Sequence, residues 1–121
     1  MTDSAVVLVV DDTPDTLALL HDSLVESGYT VLVATNGVSA VEICQQVNPD
    51  IVLLDAVMPG MDGFEVCKNL KKDLNTRHIP VIFMTGLTES EHVVAGFTAG
   101  AIDYVTKPLN PNEVIARLTT H

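Results

Sequence analysis

The sequence predicts an α/β fold in which helices cover both faces of a largely parallel sheet. Short apolar runs alternate with helix-length amphipathic segments, which is the pattern of βαβ units. The first run, residues 5–10, is continuously apolar and rich in Val, as expected for a strand that is buried on both faces. The 121 residues suffice for one domain with one sizeable core, and no repeat or linker divides them.

The strands and the first two helices are recognisable from local sequence. The predicted strands are residues 5–10, 30–34, 51–54, 80–84 and 102–105. Thr13 is expected to cap the first helix, with Pro14 at its first position. Asn36 and Gly37 are assigned to a turn before the second helix.

The later helices begin at capping sequences. Asp62 and Glu65 are spaced as a reciprocal capping pair at the start of the third helix. Thr88 and Glu91 have the same spacing at the start of the fourth helix. Asn110 precedes a proline and is expected to begin the last helix.

The composition excludes several classes of protein. Six basic against sixteen acidic residues give a formal net charge of −10, so this domain is not expected to bind nucleic acid. No segment approaches the ~18 apolar residues of a membrane span, and no basic secretion signal begins the chain. We therefore expect a cytoplasmic protein without membrane contact. Cys44 and Cys67 lack metal-ligand spacing and are expected to be reduced thiols in or near the core.

Reactive side chains follow four of the predicted strands. In chain order they are Asp11 and Asp12, Asp55, Thr85, and Lys107. Because the carboxyl ends of parallel strands meet at one edge of a sheet, these side chains are expected to converge where open α/β sheets bind ligands. Clustered carboxylates repel one another without a cation, and an oxygen-only ligand set suits Mg²⁺ or Mn²⁺. Each residue alone could be an ordinary turn or surface residue, but their joint placement favours a metal site.

This set of side chains suits the transfer of a phosphoryl group to a carboxylate. Asp55 would supply the attacking oxygen, and the metal would neutralise the developing charge. Lys107 would pair with one phosphoryl oxygen, and Thr85 would donate a hydrogen bond to another. The added negative charge would draw Thr85 and its loop inward, a local change that a bistable element can report elsewhere.

Four motifs resemble those of the receiver domains of bacterial two-component response regulators. They are VVLVVDD at 6–12, DAVMPGMDGFE at 55–65, VIFMTG at 81–86 and DYVTKP at 103–108. The resemblance covers essentially the whole chain. It implies a doubly wound, flavodoxin-like parallel sheet of five strands in the order 2-1-3-4-5.

The resemblance also implies roles for single residues at the metal site. Asp55 corresponds to the phosphoacceptor. Asp12, Asp55 and the backbone carbonyl of Val57 correspond to the direct Mg²⁺ ligands, and Asp11 acts through bound water. Mn²⁺ is expected to substitute for Mg²⁺.

Further roles belong to the residues that respond to phosphorylation. Thr85 and Tyr104 correspond to the switch residues, and Lys107 corresponds to the phosphoryl-binding lysine. The peptide bond before Pro108 is expected to be cis.

The resemblance implies partners but does not name them. The donor would be a sensor histidine kinase or a histidine phosphotransfer domain, and the domain would not be a turnover enzyme. Phosphorylation would alter the face formed by helix four, strand five and helix five, through which a homodimer can form. Residues 1–121 are interpreted as one receiver domain, and the last helix, which has no closing signal, favours excision from a longer protein with an output domain.

Two other functions compete with this interpretation. A haloacid dehalogenase-like, Mg²⁺-dependent phosphatase also uses an Asp nucleophile, but it requires a DxD pair, and Asp11 is followed two positions later by Thr13. A flavodoxin-like cofactor binder requires a glycine- and hydroxyl-rich phosphate loop, which is absent after the first strand.

Overall fold

Strands and helices alternate along the chain. The computed structural model describes residues 5–86 and 90–121, with the side chains of residues 90–93 left out of the description. The strands are β1 Val6–Val10, β2 Thr30–Ala34, β3 Ile51–Asp55, β4 Val81–Thr85 and β5 Asp103–Thr106. The helices are α1 Pro14–Glu26, α2 Gly37–Val47, α3 Gly63–Lys72, α4 Ser90–Ala99 and α5 Pro111–Thr120.

The strands form one parallel sheet in the order β2-β1-β3-β4-β5, which confirms the predicted topology. β3 lies at the centre, and its residues pair with β1 on one side and β4 on the other. Both β3 and β4 extend one residue further than predicted, so that Asp55 and Thr85 are the last residues of their strands rather than the first residues of loops. Sheet pairing sets these ends, because Asp55 is in register with Met84 and Thr85 with Thr106.

The sheet separates two apolar cores. Alternate residues of β1 face opposite sides, with Leu8 and Val10 in one core and Val7 and Val9 in the other. Buried residues of α2, α3 and α4 complete the first core, while α1 and α5 complete the second. This two-sided burial explains why β1 and β3 are apolar without alternation.

The beginnings of the first two helices differ in detail from the prediction. Thr13 occupies the N-cap of α1, with Pro14 after it, but the Thr13 side chain makes no capping hydrogen bond. The turn assigned to Asn36 and Gly37 is wrong, because Asn36 caps α2 and Gly37 is its first residue. The Asn36 side chain accepts a hydrogen bond from the backbone N–H of Ser39 at 2.8 Å. Asparagine serves turns and helix caps through the same kind of side-chain-to-backbone bond, so the local sequence did not distinguish them.

Of the three caps predicted for the later helices, those of α3 and α5 lie within the described residues. Asp62 accepts a hydrogen bond from the N–H of Glu65 at 2.9 Å, which is one half of the predicted reciprocal pair. Asn110 caps α5 by accepting a hydrogen bond from the N–H of Asn112 at 3.0 Å. The predicted cap formed by Thr88 and Glu91 lies outside the described side chains.

Both cysteines are free and buried, as expected for reduced core thiols. Burial raises the pKa of Cys44 and of Cys67 to about 11. Within the described part of the chain, no helix has the length and apolar character needed to cross a membrane.

Candidate functional site

Three carboxylates meet at the carboxyl edge of the sheet. Asp11 and Asp12 follow β1, and Asp55 ends the neighbouring strand β3. One oxygen from each carboxylate lies within 4.8 Å of the other two. The parallel pairing of β1 with β3 therefore produces the convergence that the sequence predicts.

Asp11 is fully buried, and its two oxygens have different surroundings. Oδ1 accepts a hydrogen bond from the N–H of Thr13 at 2.8 Å. Oδ2 is buried without a hydrogen-bond partner among the described residues, although Nζ of Lys107 lies 3.2 Å away as an ion-pair partner outside hydrogen-bond geometry. A buried carboxylate oxygen without a hydrogen bond is costly, and the nearby charge of Lys107 offsets this cost.

These donors fit a hard divalent cation. Asp12 is exposed beside the buried Asp11 and Asp55, so the cluster is open to solvent on one side. All of the side-chain donors are carboxylate oxygens, which Mg²⁺ and Mn²⁺ prefer over nitrogen or sulfur ligands. The mutual repulsion of the three acids favours such an ion, and Oδ2 of Asp11 makes no hydrogen bond within the described residues.

Lys107 connects two of the acids electrostatically. Its Nζ lies 3.2 Å from Oδ2 of Asp11 and 3.2 Å from Oδ2 of Asp55. Partial burial lowers the pKa of Lys107, but the charges of Asp55 and Asp11 outweigh that effect and raise it above its ordinary value. Lys107 therefore remains a cation next to the carboxylates at neutral pH.

The surroundings of Asp55 disfavour its charged form. Burial raises its pKa above the ordinary value, and the nearby charge of Asp11 raises it further. A hydrogen bond from the N–H of Val57 to Oδ1 at 3.2 Å and the cation of Lys107 oppose this rise without cancelling it. The carboxylate is thus held by one backbone donor and one cation while it faces a second acid.

Thr85 stands at the end of β4, next to Asp55 on β3. Its side chain is buried, and its carbonyl accepts a hydrogen bond from the N–H of Lys107 at 2.7 Å. That bond fixes the start of the loop after β5, whose Lys107–Pro108 peptide bond is cis. The structure therefore ties the placement of the lysine to the strand that carries Thr85.

A small cavity lies behind Thr85. Thr85 and Tyr104 are among its lining residues, together with Phe64, Phe83 and Phe97. The half-buried ring of Tyr104 meets Phe97 edge-on, with ring centroids 6.2 Å apart. The ring centroids of Phe64 and Phe83 are 5.1 Å apart. The two predicted switch residues thus share one aromatic environment.

Sequence reasoning missed two features of the site. The backbone N–H of Val57 contacts Asp55, whereas only the Val57 carbonyl was assigned a role. Gly63, the first residue of α3, lies against the backbone of Asp55 so closely that a side chain would not fit. The DG dipeptide at 62–63 marked only a helix start, and nothing local indicates this long-range contact.

The arrangement could hold a divalent cation beside a carboxylate that already pairs with the Lys107 cation. These are the requirements for an attacking carboxylate that must approach an anionic phosphoryl group. Thr85 ends the neighbouring strand β4.

Comparison with known proteins agrees with this geometry. The family model described as the response regulator receiver domain matches residues 7–119. A probable cyclic di-GMP phosphodiesterase from Vibrio cholerae is 44% identical over 115 residues, which are 95% of this chain and 26% of that protein. Protein PilH from Pseudomonas aeruginosa is 40% identical over 109 residues, covering 90% of each protein. The chain spans about a quarter of the length of the phosphodiesterase.

Solved structures show the same likeness. A high-resolution structure of the chemotaxis protein CheY4 from Vibrio cholerae superposes with a TM-score of 0.93 and 30% sequence identity, covering 98% of both chains.

Proposed function

This chain belongs to the response regulator receiver domain family and is a phosphorylation-dependent signalling switch, and we propose that Asp55 is the residue that accepts the phosphoryl group. One observation carries the assignment to Asp55. Its carboxylate ends the central strand, lies within 4.8 Å of the oxygens of Asp11 and Asp12, and is 3.2 Å from the cation of Lys107. The phosphatase alternative has no support from the matched family.

The proposed reaction is the transfer of a phosphoryl group from a phosphohistidine. An oxygen of Asp55 forms a bond to phosphorus while the phosphorus–nitrogen bond breaks, and the electron pair leaves with the imidazole. Lys107 already pairs with Asp55, and it exchanges this contact for a phosphoryl oxygen. The hydroxyl of Thr85 donates a hydrogen bond to another phosphoryl oxygen.

We assign the metal ligands as the resemblance implies. Asp12, Asp55 and the carbonyl of Val57 would hold Mg²⁺ directly, and Asp11 would hold it through water. When bound, Mg²⁺ supplies charge neutralisation between the carboxylates and the phosphoryl oxygens, and Mn²⁺ can take its place. The carboxylate-only donors and the unpartnered oxygen of Asp11 support this assignment.

The signal would leave through the output face, by which we mean α4, β5 and α5. Thr85 and Tyr104 line one cavity next to this face, which supports the proposal. A displacement of Thr85 toward the phosphoryl group would free space for the tyrosine ring. We propose a sensor histidine kinase or a histidine phosphotransfer domain as the donor. A linked output domain or a homodimer partner would bind the output face. The greater length of the phosphodiesterase relative supports a linked output domain.

We further propose that the domain acts in the cytoplasm and is not itself a turnover enzyme. One relative is named a phosphodiesterase, but this chain matches only 26% of its length. Any such activity in the natural protein would belong to another domain.

The proposal is tested by offering two phosphoryl donors to the purified domain with Mg²⁺. We expect acetyl phosphate to add one phosphoryl group to each molecule, observed by intact mass, and p-nitrophenyl phosphate to show no sustained hydrolysis. Continuous release of p-nitrophenol without a labelled protein would show that the domain is a phosphatase and not a switch.

A further inference from the structure

The start of α3 is in unusually close contact with the backbone of Asp55. A Cβ atom added to Gly63 would overlap the carbonyl oxygen of Asp55 and would lie 2.9 Å from Cα of Ala56. Carbon atoms do not approach other heavy atoms this closely without a bond. The clash would be with main-chain atoms of the proposed phosphoacceptor and its neighbour, which cannot rotate away as a side chain can.

Hydrogen bonds hold both sides of this contact. The N–H of Ala56 donates to the carbonyl of Met84 at 3.0 Å, which ties it to β4. The N–H of Gly63 donates to the carbonyl of Ala56 at 3.1 Å. A side chain at Gly63 could be accommodated only by shifting α3 or by turning the peptide between Asp55 and Ala56, and either movement disturbs these bonds.

Backbone conformation does not explain why position 63 is a glycine. Gly63 does not have the positive φ that disfavours other residues, unlike Gly28, Gly60 and Gly100. In a helix, alanine is the better former, so local propensity favours Ala at this position. The close approach to Asp55 is the feature that requires a residue without a side chain.

We propose that Gly63 is a positioning residue for phosphorylation. By letting α3 begin against the carbonyl of Asp55, it sets where the Asp55 carboxylate stands relative to the N–H of Val57 and Nζ of Lys107. This inference rests on the proposed role of Asp55. Relief of the contact requires a shift of most of an ångström, and misplacement of a reacting group by about 1 Å can cost on the order of 10²-fold in rate.

Gly37 provides a matched control. It is also buried and is also the first residue of a helix, with no positive φ. A Cβ there would lie 2.8 Å from Cγ2 of Val66 and 2.9 Å from Cβ of Met61, so the crowding involves side chains rather than the backbone of Asp55. The two variants therefore add the same methyl group, which crowds neighbouring side chains in Gly37→Ala and the backbone of Asp55 in Gly63→Ala.

The test compares wild type, Gly63→Ala and Gly37→Ala in two measurements. The first is the rate of labelling by acetyl phosphate per folded molecule, with the folded fraction taken from circular dichroism. The second is the rise in thermal midpoint caused by Mg²⁺, which a purely structural role of Gly63 would leave unchanged. Where Gly63→Ala is partly unfolded, trimethylamine N-oxide is added equally to all three proteins until its dichroism is native.

We expect Gly63→Ala to be labelled roughly 10- to 100-fold more slowly and to lose most of the Mg²⁺-dependent rise. Gly37→Ala should keep the wild-type labelling rate and the wild-type rise, whatever its own midpoint. Wild-type values of both measurements for Gly63→Ala would overturn the positioning role. An unlabelled wild-type protein would instead contradict the proposed function of Asp55, so the two failures are distinguishable.

Discussion

Lys107 governs the charge balance of the site at the level of single residues. Its Nζ is within 3.2 Å of both Asp11 and Asp55, and its side chain is 27% exposed. Without that cation, two buried carboxylates would face each other with no compensating charge. A bound divalent ion would relieve the same repulsion, so the lysine and the metal share one electrostatic role.

Replacement of Lys107 by Met should expose this shared role. We expect Lys107→Met to lose about 1–3 kcal/mol of unfolding free energy in metal-free buffer, because the two buried acids remain without a compensating cation. Mg²⁺ should then stabilise the variant more than it stabilises the wild type. Urea unfolding with and without Mg²⁺ measures both quantities. Lys68→Met, which removes an exposed lysine of α3, is the control, and an equal Mg²⁺ response in all three proteins would contradict the account.

The sequence predicted the convergence of the three acids and Lys107, because each lies at or just after the end of a parallel strand. It could not identify their mutual contacts. The unpartnered oxygen of Asp11 and the backbone donor from Val57 depend on side-chain placement that no local pattern encodes. The contact between Gly63 and Asp55 depends in turn on how α3 packs against β3.

At the level of elements, β5 and α5 are joined by a small polar cluster. Oδ2 of Asp103 lies 3.2 Å from Nη1 of Arg117 and 3.0 Å from Nε2 of His121. Oδ1 accepts a hydrogen bond from the N–H of Tyr104 at 2.8 Å. The start of the strand is thereby linked to the end of the helix that follows it.

This cluster makes the free energy of unfolding depend on pH in the acid range. Burial raises the pKa of Asp103, but the Tyr104 hydrogen bond, the contact with His121 and the charge of Arg117 outweigh burial and lower it below its ordinary value of 3.8. The folded protein therefore binds fewer protons at Asp103 than the unfolded chain does. The stabilisation is present above the unfolded pKa and is lost as pH falls through the folded pKa.

We expect Asp103→Asn to be less stable than wild type at pH 7 by roughly 0.2–1 kcal/mol. The loss is small because Arg117 and His121, the partners of Asp103, are partly exposed. The difference should shrink as the pH is lowered through and below about 4. Urea midpoints measured between pH 7 and pH 3 check this. Parallel curves for the two proteins over that whole range would show that Asp103 has no part in the acid sensitivity.

Element boundaries were the least predictable part of the fold. The strand ends at Asp55 and Thr85 follow from pairing with neighbouring strands, which a local sequence window does not contain. Asn36 and Gly37 were misassigned because one side-chain hydrogen bond serves both turns and helix caps. The apolar runs of the strands and the amphipathic pattern of the helices, by contrast, are local properties, and they predicted the number and order of these elements along the chain.

At the scale of the whole molecule, one of the two cores beside the sheet buries both thiols. Cys44 and Cys67 lie in the same core, and the Sγ of Cys67 donates to the carbonyl of Ala99 at 3.3 Å. Neither thiol is accessible to a reagent in solution while α2 and α3 remain packed against the sheet. Reaction of these thiols therefore reports the opening of the fold.

We expect both thiols to react with iodoacetamide at pH 8 at least about 10²-fold more slowly in the native protein than in urea. Burial raises their pKa from 9.0 to about 11, which alone lowers the thiolate fraction to that extent. Mass spectrometry of quenched time points gives the rates. Rapid native alkylation at either cysteine would show that the core opens more readily than its packing indicates.

The central claim for the molecule is that Asp55 accepts the phosphoryl group. The most direct measurement is to label the protein with acetyl phosphate and Mg²⁺, reduce the acyl phosphate with borohydride, and locate the reduced residue by fragment mass spectrometry. We predict one reduced residue at position 55 in the wild type and none in a folded Asp55→Asn variant. Reduction at Asp11 or Asp12 in the wild type, or stoichiometric labelling of Asp55→Asn, would contradict the claim.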